Sequence, residues 1–275
     1  MNLLRLIKQR LYYRLSPLML RREAVIRPAI LSDRRNIFIY FDYEREFGGV
    51  SEPIPCSGIT GILKTLEKYN IKTTWFTVGE IFEKYPNSII EIVSGGHEIG
   101  SHTFSHIPPL FSTSSQLSGD FERFGNAAKK SSIVPVGFHS PNGLWSLKSI
   151  QLCALHNYIY DMITCSSQSP PSPLIVSAGR NASILRFCSL GDDWPLYKAD
   201  SNRQESLSYL KSLLLNVKPG TACGIGFHPW ILISSNERLA AFEQFIEYLS
   251  QQPNVTINTA AGWTAIIEER AISHD

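Results

Sequence analysis

Three carboxylates stand within five positions at the end of an apolar run: Asp42, Glu44 and Glu46 in "NIFIYFDYERE" (36–46). In an extended strand alternate side chains share a face, so Asp42 and Glu44 project together while Tyr43 turns away. Two carboxylates aimed at one point repel each other unless a cation or a proton lies between them. That arrangement suits a metal ligand beside a general base; the plainer alternative is a pair of solvated loop residues. A second segment, "GGHEIGSHTFSH" (95–106), holds His97, His102 and His106. His102 and His106 are four apart, which puts both imidazoles on one side of a helical turn, as in many paired-histidine metal sites. Alone, they could equally be two surface histidines. A strand-end carboxylate with these two histidines makes the His₂–carboxylate set of a catalytic zinc site that keeps an open coordination position.

Such residues act only if the chain brings them together. From residue 36 onward, short apolar runs suited to buried strands alternate with segments of helical periodicity. The strand candidates are "NIFIYFD", "TTWFTVG", "HEIGSH", "VPVGFHS", "YIYDMIT", "SILRFCS", "ACGIGFHP" and "NVTINT". Helices are expected over "SGITGILKTLEKYN", through most of 81–96, and at 115–130, 146–157, 204–216 and 236–250. This alternation predicts a parallel sheet or barrel with its active residues at the C-terminal strand ends. The Ser/Pro-rich stretch 166–181 reads as a long loop. No strand–G-x-G-x-x-G–helix unit and no G-x-S-x-G motif occurs, which argues against a phosphate cradle and a serine nucleophile.

The chain has 275 residues, 43% of them hydrophobic, enough for one large domain of the α/β barrel kind. A net charge of +2 with 18% charged residues gives no footprint for nucleic acid. Five dispersed cysteines (Cys56, Cys153, Cys165, Cys188, Cys223) without C-x-x-C spacing read as reduced, buried thiols, and point to a cytoplasmic protein. Residues 1–30 form a separate segment ahead of the domain at 31–275. Within it, Leu3, Leu4, Ile7, Leu11 and Leu15 fall at helical spacing among Arg5, Lys8, Arg10, Arg14, Arg21 and Arg22. The segment has no unbroken apolar core, so a signal peptide or spanning helix is not expected. It reads either as a helix packed on the domain or as a basic amphipathic segment, residues 1–22, resting on the inner face of an anionic membrane.

"TTWFTVG" (73–79) and "GHEIGSHTFSH" (96–106), following an apolar strand that ends in carboxylates, resemble the polysaccharide deacetylase family, the carbohydrate esterases that share the NodB-homology domain. The likeness runs over roughly 34–265 and implies a distorted (β/α)7–8 barrel. It implies one divalent ion, zinc first, with nickel, cobalt or ferrous iron as alternatives. By resemblance, His102 and His106 are metal ligands and Asp42 is the base that takes the proton of the attacking water. The usual second Asp is replaced by Tyr43, and Glu44 takes its place as ligand, as in relatives with D-x-E spacing. His228 in "IGFHPW" would protonate the leaving group, with Ile225 lining the acetyl pocket. In "GFHSPNGLW" (137–145), His139 stands where the family has an arginine that steadies the base. Pro141, Asn142 and Gly143 fit the rest of that substrate- and oxyanion-binding motif. Asp193 and Trp194 of "GDDWP" would buttress His139; otherwise they belong to a Trp-anchored loop. The expected activity is removal of an N-acetyl or N-formyl group from a sugar, carried on a nucleotide or lipid in surface-polysaccharide or O-antigen synthesis. The rivals are an allantoinase-like hydrolase of a cyclic amide and an inactive glycan-binding barrel.

Overall fold

Strands form where β-branched and aromatic residues run together, and in this chain nearly every such run is buried on both faces, as a parallel barrel requires. The computed structural model describes residues 33–44, 58–164, 173–179 and 182–272, with strand residues 24–26 and helical residues 4, 7, 8, 10–12 and 15. Its strands are β1 (Ala24–Ile26), β2 (Arg35–Tyr43), β3 (Thr74–Thr77), β4 (Glu98–Ser101), β5 (Gly137–His139), β6 (Tyr160–Thr164), β7 (Leu174–Gly179), β8 (Ala182–Gly191), β9 (Ala222–Phe227) and β10 (Val255–Ile257). Seven of them close a parallel ring in the order β2-β3-β4-β5-β6-β8-β9, because β9 pairs with both β8 and β2. The expected distorted barrel is thus a seven-stranded one.

The described helices are α1 (Thr60–Lys68), α2 (Gly79–Lys84), α3 (Pro86–Ser94), α4 (Ser114–Lys130), α5 (Leu147–Leu155), α6 (Trp194–Lys198), α7 (Arg203–Leu215), α8 (Pro229–Ile233), α9 (Asn236–Ser250) and α10 (Ala260–Ile272). Two-residue alternation sorts the core into layers. On β2, Ile37, Ile39, Phe41 and Tyr43 face the helices. Phe38 and Tyr40 face the barrel interior, where they meet Phe76, Tyr160, Met162 and Phe187. Burying each of these rings stabilises the fold by roughly 2–3 kcal/mol. The rings fit because glycines face them: a Cβ on Gly137 would fall inside the Tyr160 ring, and one on Gly226 inside the Tyr40 ring.

Three expectations change and one helix is added. Part of the loop expected at 166–181 is β7, paired antiparallel with β8, which β1 then extends. Its Leu174, Val176 and Ala178 alternate into the core, a strand pattern that the surrounding Ser and Pro residues hide. The helix expected through 81–96 is split at Pro86, which has no N–H to continue it. Helix α10 has no counterpart in the sequence reading. Finally, the cysteines are not all reduced: Cys153 and Cys223 are free and buried, but Cys188 is disulfide-bonded.

Candidate functional site

Every polar side chain of interest lies at the C-terminal end of a ring strand. Asp42 lies at the end of β2 on its interior face, Glu44 directly follows the strand, and they are 5% and 2% exposed. Tyr43 between them packs outward on Trp75, with ring centroids 5.7 Å apart. His102 follows β4, His139 ends β5, Asp193 follows β8 and His228 follows β9.

His106 Nε2 lies 2.6 Å from Glu44 Oε2, and His102 Nε2 lies 3.9 Å from the same oxygen. His102 Nδ1 donates to the carbonyl of His139 at 2.8 Å, which fixes the tautomer and leaves the Nε2 lone pair facing Glu44. The donor atoms of Glu44, His102 and His106 all fall within 4.8 Å of one another. One carboxylate oxygen and two imidazole nitrogens at this separation fit a small divalent ion. Asp42, His102 and His139 also cluster within that distance. There, however, His139 Nδ1 is hydrogen-bonded to Asp42 Oδ1 at 2.8 Å and His102 Nδ1 is already committed. The first set is the better cation site.

His139 therefore meets Asp42, as the replaced arginine would. It is 3% exposed and packed against the rings of Tyr40 and Phe76, so it does not reach a substrate. His228 closes the far side: its Nε2 is 3.9 Å from both Asp42 Oδ2 and Glu44 Oε1. Its Nδ1 is 2.6 Å from Asp193 Oδ1, and its backbone N–H donates to Asp193 Oδ2. Trp230 Nε1 donates to Glu44 Oε1 at 3.4 Å.

Electrostatics follows from this packing. Burial alone would push the Asp42 carboxyl up, but the surrounding His139, His102 and His228 hold it well below the usual range. Glu44 is lowered likewise, chiefly by His106 acting against burial. Burial drives His102 down to about 3 against the pull of Asp42, so its ring is neutral, as a metal ligand must be. His228 goes the other way: Asp193 overcomes burial and raises it well above 6.5. Burial lifts Asp193 itself to about 6. The shared proton belongs to His228, because its affinity rises above that of the carboxylate.

Two assignments are corrected. Ile225 does not line the site; it is fully buried in the helix-facing layer with Phe227, because odd positions of β9 point outward. Asp193 does not buttress His139 but holds His228, while Trp194 beside it packs against Trp230 and Tyr197 at the rim. Pro141, Asn142 and Gly143 form a 3₁₀ turn directly after β5. Gly143 has φ 63°, and its N–H is spent on Ser140 O, so its part is to shape the turn. His97 is structural: burial lowers it to about 4, and its Nδ1 accepts from the Thr73 N–H.

One residue escaped the sequence reading. The segment from His102 to His106 is strained, with Thr103 and His106 at φ 62° and 55°. Asp120 of α4 accepts from the N–H groups of Phe104 at 2.5 Å and Ser105 at 3.2 Å. From the other side, the first N–H groups of α2, on Gly79 and Glu80, donate to the carbonyls of Thr103 and Phe104. A Cβ on Gly79 would collide with Phe104, which explains the glycine of "TTWFTVG". The signal for Asp120 was an acidic residue among the apolar positions of a helix.

Residues 33–160 match the family model described as polysaccharide deacetylase. Over 143 residues the chain is 29% identical to the peptidoglycan deacetylase of Helicobacter pylori, a match covering 50% of this chain and 46% of that protein. It thus spans about half, or less, of the curated relatives it matches. Among solved structures, a Mycobacterium smegmatis protein described as a polysaccharide deacetylase aligns with TM-score 0.79 at 19% identity, over 90% of this chain and 96% of that one. An allantoinase aligns with TM-score 0.71 at 19% identity, over 86% and 91%. At these identities the two structures share the fold.

Proposed function

We propose, from the match of residues 33–160 to the polysaccharide deacetylase family model, that the chain is a metal-dependent hydrolase that removes an N-acetyl or N-formyl group from a sugar. The observation that carries the reading is the convergence of Glu44, His102 and His106 beside a carboxylate and a second, carboxylate-held histidine. Glu44, His102 and His106 would hold one divalent ion, zinc by its ligand chemistry, and the bound ion would supply Lewis-acid polarisation of the amide carbonyl and acidify water.

The chain's own residues do the rest. Asp42, kept ionised, takes a proton from the attacking water, and His139 steadies its carboxylate through the 2.8 Å hydrogen bond. As the C–N bond breaks, His228 Nε2 gives its proton to the departing nitrogen, releasing an amine and acetate or formate. Asp193 keeps His228 charged until that moment. The turn at Pro141–Gly143 and the half-exposed Trp194 border the mouth and would contact the sugar.

The family supports an N-acylated saccharide; a lipid- or nucleotide-linked precursor of surface polysaccharide or O-antigen is our finer reading. The disulfide at Cys188 removes the thiol argument for a reducing compartment. A location at the inner membrane face is therefore proposed from the basic N-terminal segment alone. The test is release of acetate or formate from N-acetylated oligosaccharide, nucleotide-linked and lipid-linked sugars, with allantoin alongside. Turnover of one sugar donor, abolished by chelation and restored by zinc, is expected. Hydrolysis of allantoin would establish the cyclic-amide reading instead, and glycan binding without turnover the inactive barrel.

A further inference from the structure

Ile7, Leu11 and Leu15 are helical and expose 51%, 55% and 44% of their surface, and Leu4 exposes 66%. At 100° per residue these four positions fall on one stripe, with Lys8 and Arg10, both exposed, on its two flanks. Four large aliphatic side chains exposed in register do not suit a helix whose only purpose is to cover a domain. Yet the helix is tied to the barrel. Tyr12 is 6% exposed within the core cluster that contains Leu144 and Trp145, and its hydroxyl accepts from the backbone N–H of Trp145 at 3.2 Å. The two rings meet edge to face at 6.3 Å.

Trp145 is the second residue after the Pro141–Gly143 turn, which follows β5 and its last residue, His139, the partner of Asp42. The tether therefore lies at the end of the barrel that carries Asp42, Glu44 and His228.

We propose that this stripe docks on an anionic lipid surface and turns the mouth of the site toward it. Charge selects the occupant. Residues 1–22 contain six Arg and Lys and no Asp or Glu, which suits acidic phospholipid headgroups around inserted aliphatic side chains. Docking stands without the hydrolase reading. Its corollary, that the substrate is an N-acylated sugar on a lipid carrier, rests on that reading.

The test is cosedimentation of the full chain with phosphatidylcholine vesicles, with and without phosphatidylglycerol. The wild type should bind the phosphatidylglycerol vesicles, less so as salt rises. Lys8→Gln/Arg10→Gln should weaken binding about 5-fold per residue, about 30-fold together. Ile7→Ser/Leu11→Ser/Leu15→Ser should abolish it, while both variants keep the wild-type Tm and hydrolyse a water-soluble substrate unchanged. Equal sedimentation of wild type and both variants, or none with either vesicle, overturns the proposal. So does a wild-type dimer that the serine variant dissolves, which would assign the stripe to a second copy of the chain. With a lipid-linked N-acetylhexosamine in the vesicles, a rate loss confined to the membrane-borne substrate supports the corollary, and equal rates refute it while docking stands.

Discussion

Asp193 and His228 lie 35 positions apart and share one proton across 2.6 Å. Because the opposite charge raises the histidine, its acidic form survives to higher pH than a free imidazole's. The stability that His228 gains from its raised pKa is present below about pH 6.5, the unfolded value, and is lost as pH rises through the higher folded value. The same sign governs turnover. If His228 must arrive protonated, the rate falls as pH climbs past its raised pKa. Asp193→Asn removes the charge that raises it, so the alkaline limb of the pH–rate profile should move to lower pH, with kcat down about 10²-fold. An unmoved limb would deny Asp193 this part. The sequence reading named both residues but gave Asp193 to His139. Nothing in "GDDWP" says which strand end lies beside that of β8; only the pairing of β8 with β9 does.

At the level of elements, the loop from His102 to His106 is held by helices on both sides. Two residues in the left-handed region cost of order 1–3 kcal/mol each, and the surrounding hydrogen bonds must offset that. Asp120→Ala removes two of them and leaves the ligands themselves untouched. Metal affinity, measured by competition with a chromogenic chelator, should fall about 10-fold or more, as loss of outer-shell support does. Asp120→Glu should recover part of it, and the pH–rate profile should keep its shape. Unchanged affinity in the alanine variant would make Asp120 a packing residue only. The pairing of Asp42 with Glu44 was legible because strand alternation is a local rule. The support by Asp120 was not, because it depends on how α4 lies over a loop that precedes it by fifteen residues. Ile225 failed for a related reason: a motif gives order along a strand, whereas its parity decides the face.

For the whole molecule, the ion would join β2 to the segment after β4, across the intervening β3. Binding to the folded state alone stabilises by about 2.7 kcal/mol at a hundred times Kd, so zinc should raise Tm and a chelator should lower it. Glu44→Gln should lose most of that response. Asp42→Asn should keep it, yet turn over at least about 10²-fold more slowly. The reverse pattern would exchange ligand and base within "FDYE". The barrel itself was readable from the alternation of runs. Its closure as seven strands was not, since "SILRFCS" continues to Gly191 and carries an antiparallel neighbour that composition disguised.

The ring-filled interior has one more consequence. Phe38, Tyr40, Phe76, Tyr160 and Phe187 leave the barrel solid beneath Asp42, each at 1% exposure or less. Among the described residues there is no back door along its axis. On the proposed reaction, acid and amine would leave by the face through which the acylated sugar enters, and the next substrate would wait for both to clear. Traffic through a single doorway, as much as the breaking of the amide, would then set how often the site can be used.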